Sequence, residues 1–206
     1  MNKSIFSLAI ISILFGCSQM GNQPESNPAN DSVQKYLALA ENDSLDFKQK
    51  VLYNDKALSF IDLRKNDSLT IKNLYNISFK CHLFNQTKLL KKTADLILKK
   101  SEKVNDSSGL GYANRCLGLY YMSKSENEKA IEHLFTAKKI FNTLKNKRYT
   151  NRVTLDILLT QSYACDYLGS NKTAFELLKS NETKNDKRIK CFCFNIIANN
   201  LSGLKL

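Results

Sequence analysis

The stretch Asn114–Phe141, NRCLGLYYMSKSENEKAIEHLFTAKKIF, contains the pattern that decides the fold. Apolar residues recur in it every three or four positions, on both sides of the polar segment 123–129. Apolar spacing of this kind is typical of amphipathic helices, and a polar segment is typical of the connection between two of them. The stretch therefore predicts two helices that pack against each other.

Five residues of this stretch, Gly118, Tyr121, Ala130, Leu134 and Ala137, have a spacing that resembles the tetratricopeptide repeat. The resemblance implies an antiparallel helix pair in which the small residues Gly118 and Ala130 allow close approach. It also implies that Leu134 fills the space between the helices and that Ala137 admits the next repeat. The clearest repeat is predicted at about 111–144.

Weaker copies of the pattern flank this repeat. Ser78 takes the place of Gly118 in the upstream copy, and Ser162 takes it in the downstream copy. The longer interval on the downstream side predicts longer helices or loops, and the segment 141–152 would be one such extension. The upstream copy consists of Leu74, Ile77, Ser78, Cys81, Leu90, Ala94 and Ile97, and the downstream copy of Leu158, Ser162, Cys165, Gly169, Ala174 and Leu178.

Helix starts are predicted by the tripeptide Asn-Asp-Ser, which occurs at Asn30, Asn42, Asn66 and Asn105. Asp and Ser side chains accept hydrogen bonds from the unpaired N–H groups of a first helical turn. No proline follows Pro28. Because proline disrupts helix interiors, its absence favours helices throughout the rest of the chain.

We therefore predict an all-α protein in which antiparallel helix pairs stack as a short right-handed solenoid, similar to that of the tetratricopeptide family. Two further helices are predicted before Asn66, where the repeat pattern is weaker, at 32–41 and 45–64. The predicted divisions of the chain are a lipoprotein signal peptide at 1–16, a flexible polar tether at 17–31, helical repeats at 32–188, and a capping or truncated helix at 189–206.

The N-terminus, MNKSIFSLAIISILFGC, has the features of an export signal. Lys3 precedes the apolar stretch Ile5–Phe15, which as a helix would span ~16 Å, about half of a ~30 Å hydrocarbon core. A segment this short predicts a signal peptide and not a membrane span. Leu14–Cys17 resembles the bacterial lipobox, which implies cleavage before Cys17 and acylation of its thiol. The alternative is an ordinary secretory signal with an incidental cysteine.

The lipobox resemblance also implies where in the cell the protein is located. Two or more acyl chains anchor a protein stably in a membrane. Ser18 and the absence of an acidic cluster after Cys17 imply the outer membrane, with the body facing the periplasm, although surface display stays open. The asparagine- and lysine-rich style is similar to that of repeat lipoproteins from Bacteroidetes-like bacteria.

The formal net charge of +12 raises the question of an anionic partner. Such a charge suggests nucleic acid, anionic lipid or acidic protein partners. The lysines are spread along the chain, as at 91–92, 99–100 and 138–139, and no arginine-rich cluster with interleaved aromatics occurs. We therefore expect solvated helix faces and no nucleic-acid partner. A cytosolic nucleic-acid-binding protein is the alternative if the N-terminus is not a signal.

Catalytic and metal-binding patterns are not found in the sequence. Its two histidines, His82 and His133, are 51 positions apart, and no HExxH, GxSxG, GxGxxG or P-loop motif occurs. Cys191 and Cys193 would point about 200° apart on a helix, which disfavours a paired role. We expect no enzyme activity, no cofactor, no metal and no disulfide framework.

The tetratricopeptide resemblance implies a function as well as a fold. In that family the first helix of each pair lines a concave groove that binds an extended peptide or a partner helix. Carried over by this resemblance, the partner-binding residues are Lys72, Tyr75, Phe79, His82, Tyr112, Arg115, Leu119, Met122, Asp156, Tyr163 and Asp166. The alternative is that several of them belong to the core.

These observations predict a membrane-anchored module for protein–protein interaction, acting as a scaffold or adaptor in the cell envelope. Its partner is a protein or peptide of unknown identity. The alternative is the sensory or regulatory N-terminal portion of a repeat-containing signalling protein or transcription regulator.

Overall fold

The computed structural model describes residues 28–180, 183 and 186–204. Within these residues the chain forms nine α-helices and no strand. The predicted signal peptide and Cys17 lie outside the described residues. The helices are α1 Pro28–Ala40, α2 Phe47–Ser59, α3 Ser68–Leu83, α4 Thr87–Lys103, α5 Ser107–Ser123, α6 Asn127–Thr143, α7 Lys147–Tyr163, α8 Tyr167–Lys179 and α9 Lys187–Gly203.

The helices follow one another with a constant period. Helices α4 to α9 begin at residues 87, 107, 127, 147, 167 and 187, so the starts of successive helix pairs are evenly spaced along the chain. Each helix packs against its neighbours in the chain, and α1, α3, α5, α7 and α9 also contact one another in order. The predicted all-α solenoid of stacked helix pairs is confirmed.

Five turns of the same geometry produce this period. The residues Asn85, Asn105, Ser125, Lys145 and Cys165, which are evenly spaced along the chain, have a φ between 53° and 60°. The N–H of the following residue bonds back to the carbonyl five residues earlier, as from Asn146 to Phe141 at 2.8 Å. This is the hydrogen bond of a Schellman turn, which reverses the chain within three residues.

The predicted helix starts are correct at two of the four Asn-Asp-Ser sites. Asp67 and Asp106 accept hydrogen bonds from the N–H groups three residues later, and so cap α3 and α5. The prediction is wrong at Asn42, because Asp46 caps α2 instead. It is also wrong at Asn30, which lies inside α1. Residues 28–31, predicted as part of the tether, are therefore helical.

The core of the central pair is built around Gly118, as the sequence pattern predicts. A Cβ atom at Gly118 would lie 2.6 Å from Cγ of Leu134 and 3.2 Å from the carbonyl oxygen of Ala130. With Leu134 opposite, a larger residue at this position would therefore require the Leu134 side chain to shift. The upstream copy is also correct, since all seven of its residues are buried.

The downstream copy is in the wrong register. Leu158, and not Ser162, takes the place of Gly118, because α6 and α7 are joined by the same short turn as the other helices. Cys165, expected inside a helix pair, is the exposed turn residue. The predicted extension at 141–152 consists of longer helices and not of a longer loop, because it contains the end of α6, a short turn and the beginning of α7. Leu158 and Ala174 are buried, in a cluster that continues to α9.

Candidate peptide-binding groove

Most of the predicted partner-binding residues lie on α3, α5 and α7, the adjacent first helices of three pairs. The structure brings together Lys72, Tyr75, Phe79, Tyr112, Arg115 and Asp156 through side-chain contacts. Tyr163 at the end of α7 is exposed and outside this group. Asp166 is also apart from it, and its carboxylate caps α8 by accepting the N–H of Gly169 at 2.9 Å.

Five of the predicted residues are buried. They are Tyr75, Tyr112, Arg115, Leu119 and Met122. These side chains are packed between neighbouring helices. The prediction that they form an exposed row along the groove is therefore wrong. Lys72, Phe79, His82 and Asp156 are half-buried, at the edge between the packed interior and solvent. Their role in binding a partner stays a prediction.

Lys72 is held by three tyrosine rings. Its Nζ lies 5.1 Å, 4.5 Å and 4.4 Å from the ring centroids of Tyr75, Tyr112 and Tyr149. It also donates hydrogen bonds to the hydroxyl of Tyr112 at 3.2 Å and to the hydroxyl of Tyr149. A cation over aromatic faces is stabilised by the ring quadrupoles, so this ammonium has a fixed position on α3.

The tyrosines differ in how this environment affects their acidity. Burial raises the pKa of Tyr75 and of Tyr112 above the ordinary value. Burial also acts to raise the pKa of Tyr149, but the hydrogen bond from Lys72 and its positive charge outweigh burial, and the pKa is lowered. Lys72 therefore polarises the hydroxyl of Tyr149.

Arg115 connects three helices from inside. Its Nε and Nη2 donate to the two carboxylate oxygens of Asp156 at 2.6 Å and 3.3 Å, and its Nη1 donates to the hydroxyl of Tyr75. Its guanidinium carbon lies 4.8 Å from the ring centroid of Phe79. Paired and buried in this way, Arg115 positions α3 and α7 against α5 and is not available to a partner.

The open part of the site is a groove of about 430 Å³ between α1, α3 and α7. Arg148 and Arg152, one turn apart on α7, lie on its wall, and the Arg152 guanidinium carbon is 5.5 Å from the Tyr149 ring centroid. Neither arginine has a carboxylate partner among the described residues. Further lining residues are Leu37, Glu41, Lys72, Phe79 and Lys80.

The charge of this groove is positive. Glu41 is its only carboxylate among the described residues, and it is already paired with Lys80 at 2.5 Å. Within that part of the chain, Lys72, Arg148 and Arg152 therefore remain without an anion. A second groove of about 430 Å³ between α7 and α9 shares Arg148 and Arg152, which form a ridge between the two grooves.

Tyr149, Arg148 and Arg152 were not predicted as site residues. They fall in the segment 141–152, which the downstream copy, with Ser162 in the place of Gly118, leaves outside its repeat as an extension of helices or loops. The available signal was the spacing of the turns: Lys145 lies one pair period after Asn105, which places the start of a first helix directly after it.

Neither of two comparisons with known proteins, with family models and with curated sequences, found a match for this chain. Among the helices that the structure describes, none is both long and apolar enough to cross a membrane. The same part of the chain contains no cluster of three or more His, Cys, Asp or Glu side chains that could hold a metal ion.

Proposed function

We propose that the chain is a helical-repeat interaction module that binds an extended acidic segment of a partner protein in the groove between α1, α3 and α7. The observation that carries this proposal is the group of three cations that line the groove, Lys72, Arg148 and Arg152, of which Lys72 and Arg152 lie over the Tyr149 ring. No free carboxylate lines the groove among the described residues. The even helix period supports a helical-repeat architecture, and the close approach at Gly118 supports the relation to the tetratricopeptide class.

The groove offers the two kinds of contact that a peptide interface needs. Arginine forks bind carboxylates with two parallel hydrogen bonds, and their fixed shape orients the bound chain. The half-buried Phe79 supplies aromatic surface at the groove, and aromatic residues are enriched at interfaces. An anionic segment would also reduce the repulsion among the three positive charges of the groove. The electrostatic free energy therefore favours its binding.

A comparison of two charge-removing variants tests this proposal. We expect Arg148→Gln with Arg152→Gln to weaken the binding of fluorescent octapeptides rich in Asp and Glu at least about tenfold. The matched control, Lys138→Gln with Lys139→Gln on α6, removes the same charge away from the groove and should change affinity less than about twofold. Fluorescence anisotropy measures both.

Two results would overturn the acidic-peptide proposal. Equal losses in the two variants would mean that the net charge alone attracts the peptide. Equal affinity for matched peptides with Asn and Gln in place of Asp and Glu would mean that the groove does not select anionic groups. Circular dichroism of both variants establishes that each remains folded, which we expect since Arg148 is exposed and Arg152 half-buried.

We also propose that the module is anchored in the cell envelope through Cys17, on the outer membrane and facing the periplasm. The lipobox resemblance at Leu14–Cys17 supports this address. The mass of the N-terminal peptide from membranes tests it, with Cys17→Ala as the control. A diacylated peptide that begins at Cys17 supports the anchor, whereas an unmodified peptide that begins at Met1 in the soluble fraction contradicts it.

A further inference from the structure

The chain enters the stacked helices on one particular edge of the stack. Odd-numbered helices begin and even-numbered helices end on the same side, because the turns reverse the chain between successive helices. Ala29 at the start of α1 lines a cleft with Lys65 of the α2–α3 connection. Asn66 of that connection lines the next cleft with Val104 and Leu144, which follow α4 and α6. The start of α1 and these connections therefore form one continuous edge.

This side is called the entry edge, and it includes the α8–α9 connection, because Arg148 and Asp186 line one groove. Each connection is taken with the last residue of one helix and the first two residues of the next. The connections of the entry edge are then 59–69, 103–108, 143–148 and 179–188. Those of the opposite edge are 40–48, 83–88, 123–128 and 163–168.

The two edges carry net charges of opposite sign. Among the described residues, the connections of the entry edge contain nine basic and four acidic side chains. The connections of the opposite edge contain three basic and six acidic side chains. All four connections of the entry edge contribute to its basic residues. An anionic surface is therefore attracted to the entry edge and repelled by the opposite edge.

Apolar side chains are also exposed on the entry edge. Leu63 is 48% exposed, Val104 45% and Leu144 40%, and each is next to a basic residue in the sequence. The opposite edge exposes comparable side chains, among them Leu83 and Leu168. Apolar exposure alone thus does not distinguish the two edges, whereas charge does. Exposed apolar groups beside lysines and arginines are the combination that binds the headgroup region of an anionic bilayer.

We propose that the entry edge lies on the surface of a bilayer that contains anionic phospholipids. In this arrangement Leu63, Val104 and Leu144 reach the headgroup region, and the neighbouring lysines and arginines bind lipid phosphates. The proposal rests on the anchor at Cys17, because that anchor brings the module to a membrane. It adds the orientation in which the anchored module lies there.

The position of α1 agrees with this orientation. Pro28, the first residue of α1, is eleven residues after Cys17, so the two are at most about 40 Å apart. A helix of 17 residues, such as α5, is about 25 Å long. The opposite edge is therefore farther along the chain path from the anchor than the entry edge. The anchor and the charge thus favour the same edge.

Quenching by lipids that carry a doxyl group tests which edge contacts the bilayer. The full acylated chain, extracted from membranes, is placed in vesicles of equal parts phosphatidylcholine and phosphatidylglycerol. Cys165→Ser and Cys191→Ser remove the two exposed cysteines of the described residues. A maleimide fluorophore is then attached at Leu144→Cys or, as the matched control on the opposite edge, at Leu83→Cys.

We expect the doxyl lipids to quench the fluorophore at position 144 and to leave the fluorophore at position 83 unchanged. Equal quenching at both positions would mean that neither edge is preferred, and would overturn the proposal. Quenching at position 83 alone, or at neither position, would overturn it as well.

Charge removal tests the role of the lysines. Lys145→Gln with Lys187→Gln, both exposed on the entry edge, should shift the ratio of bound to unbound orientation about thirtyfold, because each basic residue near an anionic surface contributes a factor of about five. The fluorophore at Val104→Cys should then lose most of its quenching. Lys88→Gln with Lys124→Gln removes the same charge from the opposite edge and should not reduce it. Equal effects of the two pairs contradict the proposal.

The anchor, the peptide groove and the entry edge can fail separately. If the chain is unmodified and soluble, the anchor is wrong, and flotation of that chain with the same vesicles decides about the edge. Flotation that Lys145→Gln with Lys187→Gln abolishes supports the edge, and a chain that does not float contradicts it. These variants keep Arg148 and Arg152, so their affinity for the acidic octapeptides should change less than about twofold.

Discussion

At the scale of single residues, two helix pairs place one large and one small side chain at the contact that decides their packing. The large side chain is on the second helix in one pair and on the first helix in the other. In the α5–α6 pair, Gly118 lies against Leu134. In the α7–α8 pair the residues one pair period later are Leu158 and Ala174, and both are buried in one cluster. The large side chain has moved from the second helix to the first. The α5–α6 and α7–α8 interfaces therefore keep a similar total volume at this contact although both residues differ, whereas the α3–α4 pair has the two small residues Ser78 and Ala94 there.

This exchange leads to a prediction for the central pair. Gly118→Leu should lower the free energy of unfolding by about 1–3 kcal/mol, because a Cβ atom there already lies 2.6 Å from Leu134. Leu134→Ala should lower it by about 2–5 kcal/mol by leaving a cavity. The double variant rebuilds the α7–α8 arrangement, so its loss should be smaller than the sum of the two. Urea denaturation measures all three variants.

The double-mutant cycle has an outcome that contradicts the volume exchange. Additive losses would mean that the two side chains do not share one space, since coupled neighbours show interaction free energies of about 0.5–3 kcal/mol. Ser123→Leu is the control for adding a leucine to α5, because Ser123 is exposed at the end of the same helix. It should change the stability by less than about 0.5 kcal/mol.

The same exchange explains which parts of the fold could be predicted from the sequence. The pattern of Gly118, Ala130 and Leu134 identifies the central pair, and the upstream copy keeps a small residue at Ser78. In the downstream copy, a small residue is expected at the Gly118 position. Ser162 meets that expectation and Leu158 does not, so the predicted register is one helical turn too late. Because of that error, the beginning of α7, with the two arginines of the groove, is left outside the predicted repeat.

The candidate site was less predictable than the fold for a second physical reason. Spacing identifies which residues share a helix face, but burial depends on how deeply that face is covered by neighbouring helices. Tyr75 and Arg115 are on the predicted face, yet they satisfy their polar groups with each other and with Asp156 inside the protein. A buried arginine of this kind has no signature in a single sequence, because its partner Asp156 is 41 residues away.

At the scale of the helices, the turns between them contain backbone strain that a substitution could remove. The left-handed conformation costs a residue with a Cβ atom about 1–2 kcal/mol, and glycine adopts it freely. Asparagine tolerates this conformation better than most residues, and it occupies two of the five turns, at Asn85 and Asn105. Ser125, Lys145 and Cys165 do not have that advantage.

We therefore predict that Lys145→Gly stabilises the protein by about 0.5–1 kcal/mol, after the greater entropy of glycine in the unfolded chain is subtracted. Lys145 is exposed, so its side chain loses little packing. Asn105→Gly, at the equivalent turn, is the control and should be nearly neutral. Thermal and urea denaturation measure the difference. A destabilised Lys145→Gly variant would contradict the account of strain in these turns.

At the scale of the whole molecule, side chains from distant repeats join the stacked pairs into one body. Arg115 on α5 binds Asp156 on α7 and Tyr75 on α3, over separations of 41 and 40 residues. Lys72 on α3 reaches Tyr149 on α7, 77 residues away. Solenoids depend mainly on contacts between adjacent repeats. Here the polar cluster adds contacts across three first helices, so the floor of the groove is rigid while its arginine ridge stays open.

The pH dependence of stability tests a property of the whole fold, because the two histidines lie in different repeats. Burial lowers the pKa of His82 and of His133 below the ordinary value of 6.5. A group whose pKa is lower in the folded state binds more protons when unfolded, so stability is present above pH 6.5 and is lost as the pH falls toward the folded-state values. The free energy of unfolding should therefore decrease from about pH 7 to about pH 5, before most carboxylates titrate.

The double variant His82→Gln with His133→Gln shows whether the two histidines cause this pH dependence of the free energy of unfolding. It should show a flatter dependence over the same range, because glutamine does not gain a proton when the chain unfolds. Urea denaturation at steps of pH measures both proteins. Carboxylates such as Asp67, whose pKa is lowered by the hydrogen bond from the Thr70 N–H, contribute only in more acidic solution. If the variant and the parent lose stability equally between about pH 7 and about pH 5, the histidines are not the groups that sense pH, and their burial does not limit protonation.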